Sequence, residues 1–251
     1  MNGNKAYILG VAIDSTSTSF VLNTIVGLAS GKATEKGKII FTPNPEFIVE
    51  AQADFEFKEL LNKADLSLPD GIGLVWAGRI LGQPIKQRVS GADVVKNLLE
   101  EGNRKQEPVE SQERWTIGIA GARRGVQSEA GELLGRLRDI YPNIKFINLD
   151  DPKFQIANFK FQIVFACHGM KKQENWIWDN KDKILANVFV GVGGSLDFLT
   201  GYTKRAPAVM RRIGLEWLWR GIQKPKHFKR VWKATVVFGW IVIRERLRKL
   251  T

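Results

Sequence analysis

The feature that most constrains this chain is an alternation between short, continuously apolar runs and longer segments with helical spacing. Six runs have the length of strands and end in turn residues: 5–13, 38–42, 114–121, 144–149, 161–169 and 187–194. A strand that is apolar at successive positions is buried on both faces, as in parallel sheets. The pattern therefore predicts an α/β fold, Rossmann-like, with a mainly parallel sheet and helices on both faces.

Capping residues mark several helix ends between these runs. Asp14 and Ser15 are the cap candidates before the first helix, Ser90 begins a second helix that Gly102 ends, and a third stops before Pro142. Ligands of parallel sheets bind at the carboxyl ends of the strands. Functional residues are therefore expected directly after each apolar run.

The charge of the chain is concentrated at its C-terminal end. Residues 211–251 contain 12 Lys and Arg against Glu216 and Glu245, and so carry +10 of the net +12. We expect two parts, an α/β domain over residues 1–209 and a basic, membrane-associating appendage over residues 210–251. A nearly neutral body with a basic extension indicates an anionic partner, either nucleic acid or a membrane surface.

Several chemistries lack the residues that they need. Cys167 is the only cysteine, which excludes an internal disulfide or a thiolate cluster and fits a reducing cytoplasm. His168 and His227 have no metal-ligand spacing, and a Cys–His dyad at adjacent positions of a strand would point to opposite faces. There is no P-loop, no full GxGxxG and no apolar stretch of about 18 residues. We therefore expect no metal, no cofactor and no membrane-spanning segment.

Polar side chains follow the expected strand ends at three places. Thr42 and Asn44 come after a strand, where Asn44 fits either a helix cap or a ligand contact. Asp70 lies in a Pro-Asp-Gly turn and, taken alone, is a turn residue that binds its own backbone. Arg88 lies two residues before Ser90 and is either a solvated charge or part of an anion site at a helix start.

A fourth place is rich in glycine. Gly191, Gly193 and Gly194 follow a strand, and the lack of side chains would let a phosphate or ribose approach the backbone. A tight turn from strand to helix explains the same glycines equally well.

Five motifs follow one another along the chain: TPNPEFIVEA, ADLSLPDGIGLVWAGRILG, RVSGADVV, GMKKQENWI and GVGGSLDFLTGYTKRAP, with GLEWLWR at the start of the basic tail. Taken together, they resemble the WecG/TagA/CpsF family of bacterial glycosyltransferases, glycosyltransferase family 26. The resemblance implies a UDP-sugar-dependent hexosyltransferase that moves an N-acetylmannosamine-type sugar, with inversion, to polyprenyl-diphosphate-linked GlcNAc. It also implies a role in wall teichoic acid, common antigen or capsule synthesis on the cytoplasmic face of the membrane, as a peripheral protein.

The same resemblance assigns roles to individual residues. It implies that Asp70 is the catalytic base and that Thr42, Asn44, Arg88 and Gln173 line its pocket. A carboxylate can take the proton of an attacking hydroxyl, and partial desolvation would raise its pKa from the ordinary value near 4. Arg88 would bind the diphosphate of the donor.

The resemblance implies that no metal is required, in agreement with the absence of a DxD sequence. Arginines of the tail would then fold over the pocket and complete it, and Arg211, Arg212 and Arg220 are the candidates. It also suggests self-association into a homo-oligomer.

The tail has a second feature, an apolar spacing suited to a membrane interface. Five residues recur at helical spacing between basic residues: Phe228, Val231, Thr235, Phe238 and Val242. A helix packed in the core, or one that packs on the body with one face and touches lipid with another, would have the same spacing.

Alternatives to this function remain open from the sequence. His168 and Lys171 replace a usual Leu and Pro of the family, so the donor sugar could be glucose, glucuronic acid or the uronic acid of N-acetylmannosamine. The basic tail also fits a nucleic-acid-binding module, which predicts salt-dependent affinity, although the resemblance implies no nucleic acid. A non-catalytic lipid-sugar-binding protein or a Rossmann-type dehydrogenase are further rivals, the last weakened by the missing fingerprint.

Overall fold

A computed structural model shows the fold of the chain. It describes residues 4–31, 37–104, 114–153, 159–207, 209–210, 216, 218–219 and 232–250. The contacts divide the chain into two compact units. Unit 1 comprises Met1–Ser17, Thr42–Ser90 and Lys204–Thr251, and unit 2 comprises Thr18–Phe41 and Gly91–Thr203. The expected division between residues 209 and 210 stays a prediction.

Strands and helices mostly alternate along the described part of the chain, as the sequence predicts, although two strands or two helices follow each other at some places. The strands are β1 Lys5–Ile8, β2 Val11–Asp14, β3 Lys38–Phe41, β4 Leu66–Ser67, β5 Thr116–Ala120, β6 Lys145–Asn148, β7 Phe161–Ala166 and β8 Ala186–Gly191. The helices are α1 Thr18–Ser30, α2 Pro45–Ala53, α3 Phe55–Asn62, α4 Ile72–Ile80, α5 Gly91–Asn103, α6 Gln127–Ile140, α7 Lys172–Asn180, α8 Ser195–Leu199 and α9 Phe238–Arg248.

Unit 2 is built on parallel strands in the order β3-β8-β7-β5-β6, and each of these four pairs is parallel. Helices α1 and α7 pack against β7 and β8, and α6 packs against β6. The strands are almost wholly buried, with Phe161, Phe165 and Phe189 at the centre. The predicted fold class, a parallel sheet flanked by helices, is confirmed.

The apolar run at residues 5–13 does not form the single buried strand that its composition predicts. It folds into β1 and β2, an antiparallel hairpin that turns at Leu9 and Gly10, both with positive φ. Glycine adopts such angles without strain, so it allows the chain to reverse inside an apolar run. Asp14 ends the hairpin, and the predicted helix cap at this residue is wrong. Its buried carboxylate instead accepts a hydrogen bond from the Ser67 N–H at 2.7 Å.

Unit 1 also contains the C-terminal helix α9, which packs against α2 and α4. Phe238 and Val242 are buried, and the Phe238 ring lies against Gly73 of α4. This part of the predicted apolar spacing therefore packs on the body, while Phe228 and Val231 lie outside the described residues. A different apolar set is exposed: Trp232, Val236, Trp240, Ile243, Leu247 and Leu250. No helix within the described part of the chain has the length and apolar content to cross a bilayer.

Candidate functional site

The Pro-Asp-Gly turn of unit 1 is held by its backbone on two sides. The Asp70 N–H donates to the Pro43 carbonyl at 2.9 Å, and the Val89 N–H donates to the Pro69 carbonyl at 3.0 Å. These two bonds join the segment after β3, the turn before α4 and the segment before α5. Three of the predicted strand-end segments therefore meet at one place, with the Asp70 side chain half-buried there.

The glycine of this turn adopts a conformation that other residues resist. Gly71 has φ of 127° and is the N-cap residue of α4, which has no side-chain cap. A Cβ at Gly71 would lie 3.1 Å from Pro45 Cδ, and one at Gly73 would lie 2.8 Å from Pro45 Cγ. The backbone therefore needs glycine here so that the turn can lie against Pro45.

Asn44 and Thr42 precede α2. The Asn44 Oδ1 accepts hydrogen bonds from the N–H groups of Glu46 at 2.9 Å and Phe47 at 3.3 Å, and Pro45 is the first helical residue. The interpretation of Asn44 as a helix cap is confirmed, and its contact with a ligand stays a prediction. Thr42 is buried with 9% of its surface exposed.

Charged side chains lie beside the third segment. Arg88 Nη2 lies 3.8 Å from Glu216 Oε2, and both side chains are largely buried. Arg205 Nη2 donates to Ser90 Oγ at 3.3 Å. Analysis of the sequence found Arg88 but missed Glu216 and Arg205 as members of this site. Glu216 lies inside the motif GLEWLWR, and Arg205 lies inside the motif GVGGSLDFLTGYTKRAP. Membership of these motifs was the only signal in the sequence that pointed to the two residues.

In unit 2, the glycine turn after β8 is held by side chains. Gln173 is 2% exposed; its Oε1 accepts from the Gly193 N–H at 2.9 Å and its Nε2 donates to Glu174 Oε1 at 2.6 Å. Glu174 Oε2 accepts from the Lys171 N–H at 2.6 Å. Burial raises the pKa of the Glu174 carboxyl to about 7, against the lowering effect of these hydrogen bonds. Glu174 was not predicted, because a glutamate in a first helical turn is usually exposed.

The three predicted glycines form the turn between β8 and α8. A Cβ at Gly191 would lie 2.9 Å from Gln173 Nε2, Gly193 has φ of 52°, and Gly194 is the N-cap of α8. The interpretation as a tight strand-to-helix turn is confirmed. Their contact with a phosphate or ribose stays a prediction.

The carboxyl ends of β5 and β7 form the point where the strand order of unit 2 reverses, since the chain runs from β5 to β6 and then returns to β7. The Gly121 N–H donates to Asp150 Oδ2 at 2.6 Å, and the His168 ring covers Gly121 and stacks on Trp176. Nδ1 of His168 is buried and has no hydrogen-bond partner among the described residues. Burial lowers the pKa of His168.

Cys167 lies next to His168 at the end of β7. Burial, followed by the nearby carboxylates of Asp197 and Asp150, raises the pKa of its thiol. The neutral thiol is a poor nucleophile and metal ligand. This agrees with the argument from the sequence against thiol catalysis.

Some predicted features lie beyond what the structure describes. Arg211, Arg212 and Arg220 are outside the described residues. Within the described ranges, no three His, Cys, Asp or Glu side chains are grouped so that they could hold a metal ion. Metal independence stays a prediction.

Comparison with known proteins places these motifs in a family. A sequence model of the glycosyl transferase WecG/TagA/CpsF family matches residues 6–251. An N-acetylglucosaminyldiphosphoundecaprenol N-acetyl-beta-D-mannosaminyltransferase of Staphylococcus aureus strain MRSA252 is 30% identical over 254 residues, 98% of this chain and 94% of that protein. The protein of the same name from strain MW2 is 30% identical over 253 residues, with the same coverage. The chain therefore belongs to the WecG/TagA/CpsF family of glycosyltransferases.

Proposed function

We propose that the protein transfers N-acetylmannosamine from a UDP donor to polyprenyl-diphosphate-linked GlcNAc, with inversion at the anomeric carbon. The observation that carries the proposal is the Asp70 turn, which the Pro43 and Val89 backbone bonds hold beside the segments of Asn44 and Arg88. The family match and the names of the two relatives, both transferases of this type, support the substrates.

Asp70 is the general base of the proposed reaction. The acceptor hydroxyl oxygen attacks the anomeric carbon, the bond from that carbon to the UDP oxygen breaks, and UDP leaves with the bonding electrons. The hydroxyl proton passes to the Asp70 carboxylate. An aspartate in water is a weak base with a pKa of about 4, so bound substrates would need to exclude water and raise it.

Basic side chains oppose the charge that develops on the leaving diphosphate. Arg88 and Arg205 lie at the segment before α5, and Arg88 is partnered by Glu216. A diphosphate would compete with that carboxylate for the guanidinium, which binds both anions with the same planar geometry. Arg211, Arg212 and Arg220 remain candidates for the same role. With arginines in this role, the reaction needs no metal.

Unit 2, taken by itself, offers contacts for a nucleotide at its strand ends. The turn of Gly191, Gly193 and Gly194 offers backbone without side chains to a phosphate or ribose. Ligands of parallel sheets bind where the strand order reverses, which in this unit is the end of β5 and β7.

The exposed apolar set of α9 supports a peripheral position on the cytoplasmic face of the membrane. Trp240 is 60% exposed and Leu247 is 59% exposed. Both lie on the side of the helix opposite the buried Phe238. Arg244, Arg246, Arg248 and Lys249 lie in the last turns of the same helix region. Each basic residue near an anionic surface contributes about 1 kcal/mol, enough in sum for reversible docking.

The test of the reaction is UDP release by the purified protein with UDP-N-acetylmannosamine and a short polyprenyl-diphosphate-GlcNAc analogue. We expect acceptor-dependent release that falls about 10²- to 10⁴-fold in Asp70→Asn, because Asn cannot take the proton. The melting temperature should not change, because backbone groups hold the turn. Asp139→Asn, on the exposed face of α6, is the control and should release UDP at the wild-type rate.

Two results would contradict this proposal at different levels. Full activity in Asp70→Asn would remove Asp70 as the base and leave the transferase. No release with any UDP-sugar, including the glucose, glucuronic acid and N-acetylmannosaminuronic acid donors, would favour a lipid-sugar-binding or nucleic-acid-binding protein.

Co-sedimentation with phosphatidylglycerol vesicles tests the membrane position. We expect Trp240→Ser with Leu247→Ser to reduce binding, because both side chains are exposed and their removal leaves Phe238 and Val242 in place. Phe20→Ser is the matched control, since Phe20 is 47% exposed on α1 of the other unit. Equal binding of all three proteins would contradict docking through α9.

A further inference from the structure

We propose that Glu174 and Gln173 are positioning residues for the donor: together they fix the glycine turn after β8, and neither acts on the substrate directly. The proposal rests on the proposed function, because it concerns the turn that would contact the UDP-sugar. It gives Gln173, which the family resemblance implies to line the pocket, a role through Gly193 instead.

A chain of hydrogen bonds connects the start of α7 to the turn. The Lys171 N–H donates to Glu174 Oε2, Gln173 Nε2 donates to Glu174 Oε1, and the Gly193 N–H donates to Gln173 Oε1, at 2.6, 2.6 and 2.9 Å. Both oxygens of one carboxylate are therefore occupied by donors. Lys171, Gln173 and Glu174 lie at the start of α7, and Gly193 is in the turn after β8.

The carboxylate determines which way the Gln173 amide points. An ionised carboxylate can only accept hydrogen bonds, so the amide must present its nitrogen to Glu174 and its oxygen to Gly193. The reversed amide would place nitrogen against the Gly193 N–H, two donors face to face. The charge of Glu174 therefore sets the direction of the whole chain and with it the position of the Gly193 peptide.

Burial explains why these side chains act through the turn. Gln173 is 2% exposed and Glu174 is fully buried, and Gly191 covers the Gln173 amide with no room for a Cβ. Little of either side chain is left to meet a sugar or a phosphate.

The Glu174 carboxylate is costly to bury, and its hydrogen bonds offset that cost. Burying an ionised group costs several kcal/mol, and a well-packed apolar or amide side chain of similar size would avoid that cost. Here one hydrogen bond of the Glu174 carboxylate leads through Gln173 to the turn of three glycines, and the other is accepted from the Lys171 N–H at the start of α7.

The test is Glu174→Gln, with donor and acceptor KM and kcat measured separately and with UDP binding measured by calorimetry. A glutamine at 174 presents a donor to Lys171 N–H or to Gln173, so one bond of the chain is lost. We expect the donor KM and the UDP dissociation constant to rise at least about tenfold, with an unchanged acceptor KM. A merely structural defect would lower kcat through the fraction of folded protein and leave both KM values unchanged.

A second variant, Gln173→Met, and a double-mutant cycle test the proposal if Glu174→Gln folds poorly. Gln173→Met removes the amide at nearly constant volume and should raise the donor KM by a similar factor. In the double variant the two effects should not add, because Glu174 acts through Gln173. Additive effects, or a wild-type donor KM in either single variant, would overturn the proposal.

The matched control is Asp14→Asn, a buried carboxylate of unit 1 that also accepts a backbone N–H. Asp14→Asn changes the charge of a buried carboxylate that has no bond to the glycine turn, so the donor KM should stay unchanged. Calorimetry separates the two levels of failure. Wild-type protein that binds no UDP contradicts the proposed function, whereas UDP binding that is equal in wild type and Glu174→Gln contradicts only the positioning role.

Discussion

The Asp70 turn of unit 1 and the glycine turn of unit 2 are both fixed by hydrogen bonds, but by different kinds. Backbone groups of Pro43 and Val89 hold the first, whereas the second has the side chains of Gln173 and Glu174 in addition to its own backbone bonds. A side chain in the first turn can therefore be replaced with little change of shape. In the second turn, replacement of a side chain changes the shape itself.

The difference separates chemistry from positioning. Asp70 lies in a turn that backbone hydrogen bonds hold, so we expect its substitution to report mainly on the reaction. Glu174 helps to hold the glycine turn, so its substitution should report on binding and stability together. Substitutions in and beside the two turns test this difference. Each changes the free energy of unfolding or, where that energy changes little, the affinity for the donor.

The largest effect should come from the pH dependence that Glu174 imposes. Its pKa is raised to about 7 in the folded protein from an ordinary 4.5, so the folded state holds the proton more tightly than the unfolded chain. This contribution to stability is fully present below pH 4.5 and is lost as the pH rises through 7. We expect wild type to lose about 2 to 3 kcal/mol relative to Glu174→Gln between pH 5 and pH 8.

Urea unfolding of both proteins across that range is the measurement, with the difference between them removing the titration of all other groups. Donor affinity should change in the opposite direction and improve as the pH rises, because the ionised carboxylate orients Gln173. A difference that stays constant with pH would mean that Glu174 titrates at its ordinary pKa.

The second effect concerns the glycine of the Asp70 turn. Gly71→Ala should destabilise the protein by about 1 to 3 kcal/mol, because φ of 127° is nearly restricted to glycine and the new Cβ would meet Pro45 at 3.1 Å. Thermal unfolding measures this loss, and UDP release should fall with it as Asp70 moves. Gly82→Ala is the control, with φ of 74° and open space around it. Equal losses in both variants would show that the Pro45 contact contributes nothing.

The third effect is the corresponding change in the other turn. Gly193 has φ of 52° and a Cβ there would meet only Gln173 Oε1 at 3.8 Å, an ordinary contact. Gly193→Ala should therefore cost about 1 kcal/mol, the strain of the left-handed conformation alone. Gly193→Asn should cost less, since Asn tolerates that conformation. Chemical denaturation measures the free energy of unfolding of both variants. A smaller loss in Gly193→Ala than in Gly193→Asn would contradict this explanation.

The parallel sheet was predictable from the sequence because strands buried on both faces are apolar at every position, as in Phe161–Ala166. The hairpin at Leu9 was not, since a chain reversal inside an apolar run leaves only Gly10 as its signal. The Asn44 cap was predictable as one of two alternatives. The proximity of the Asp70 and Arg88 segments was predictable only from the family motifs.

Glu174 could not be found in the sequence. A glutamate at the third position after a helix start usually caps a helix in solvent, and only the packing of α7 against β7 and β8 buries it. Glu216 was read only as one of two acids in a basic tail. Burial and pairing of charged groups arise from tertiary contacts, which residue type and spacing do not determine.

The smallest effect should come from Glu216, the carboxylate beside Arg88. The two groups are 3.8 Å apart, beyond ordinary hydrogen-bond distance, and glutamine keeps the size and one acceptor oxygen of the side chain, so Glu216→Gln should change the free energy of unfolding by less than about 1 kcal/mol. Donor binding should nevertheless improve about two- to threefold at low salt, because the diphosphate no longer competes with Glu216 for the guanidinium. Titration with UDP at two salt concentrations measures both the gain and its screening. Glu245→Gln, which loses an exposed pair with Arg248, is the control and should leave UDP affinity unchanged. Weaker UDP binding in Glu216→Gln would mean that the carboxylate holds Arg88 in place for the donor, which would make this turn, too, dependent on a side chain.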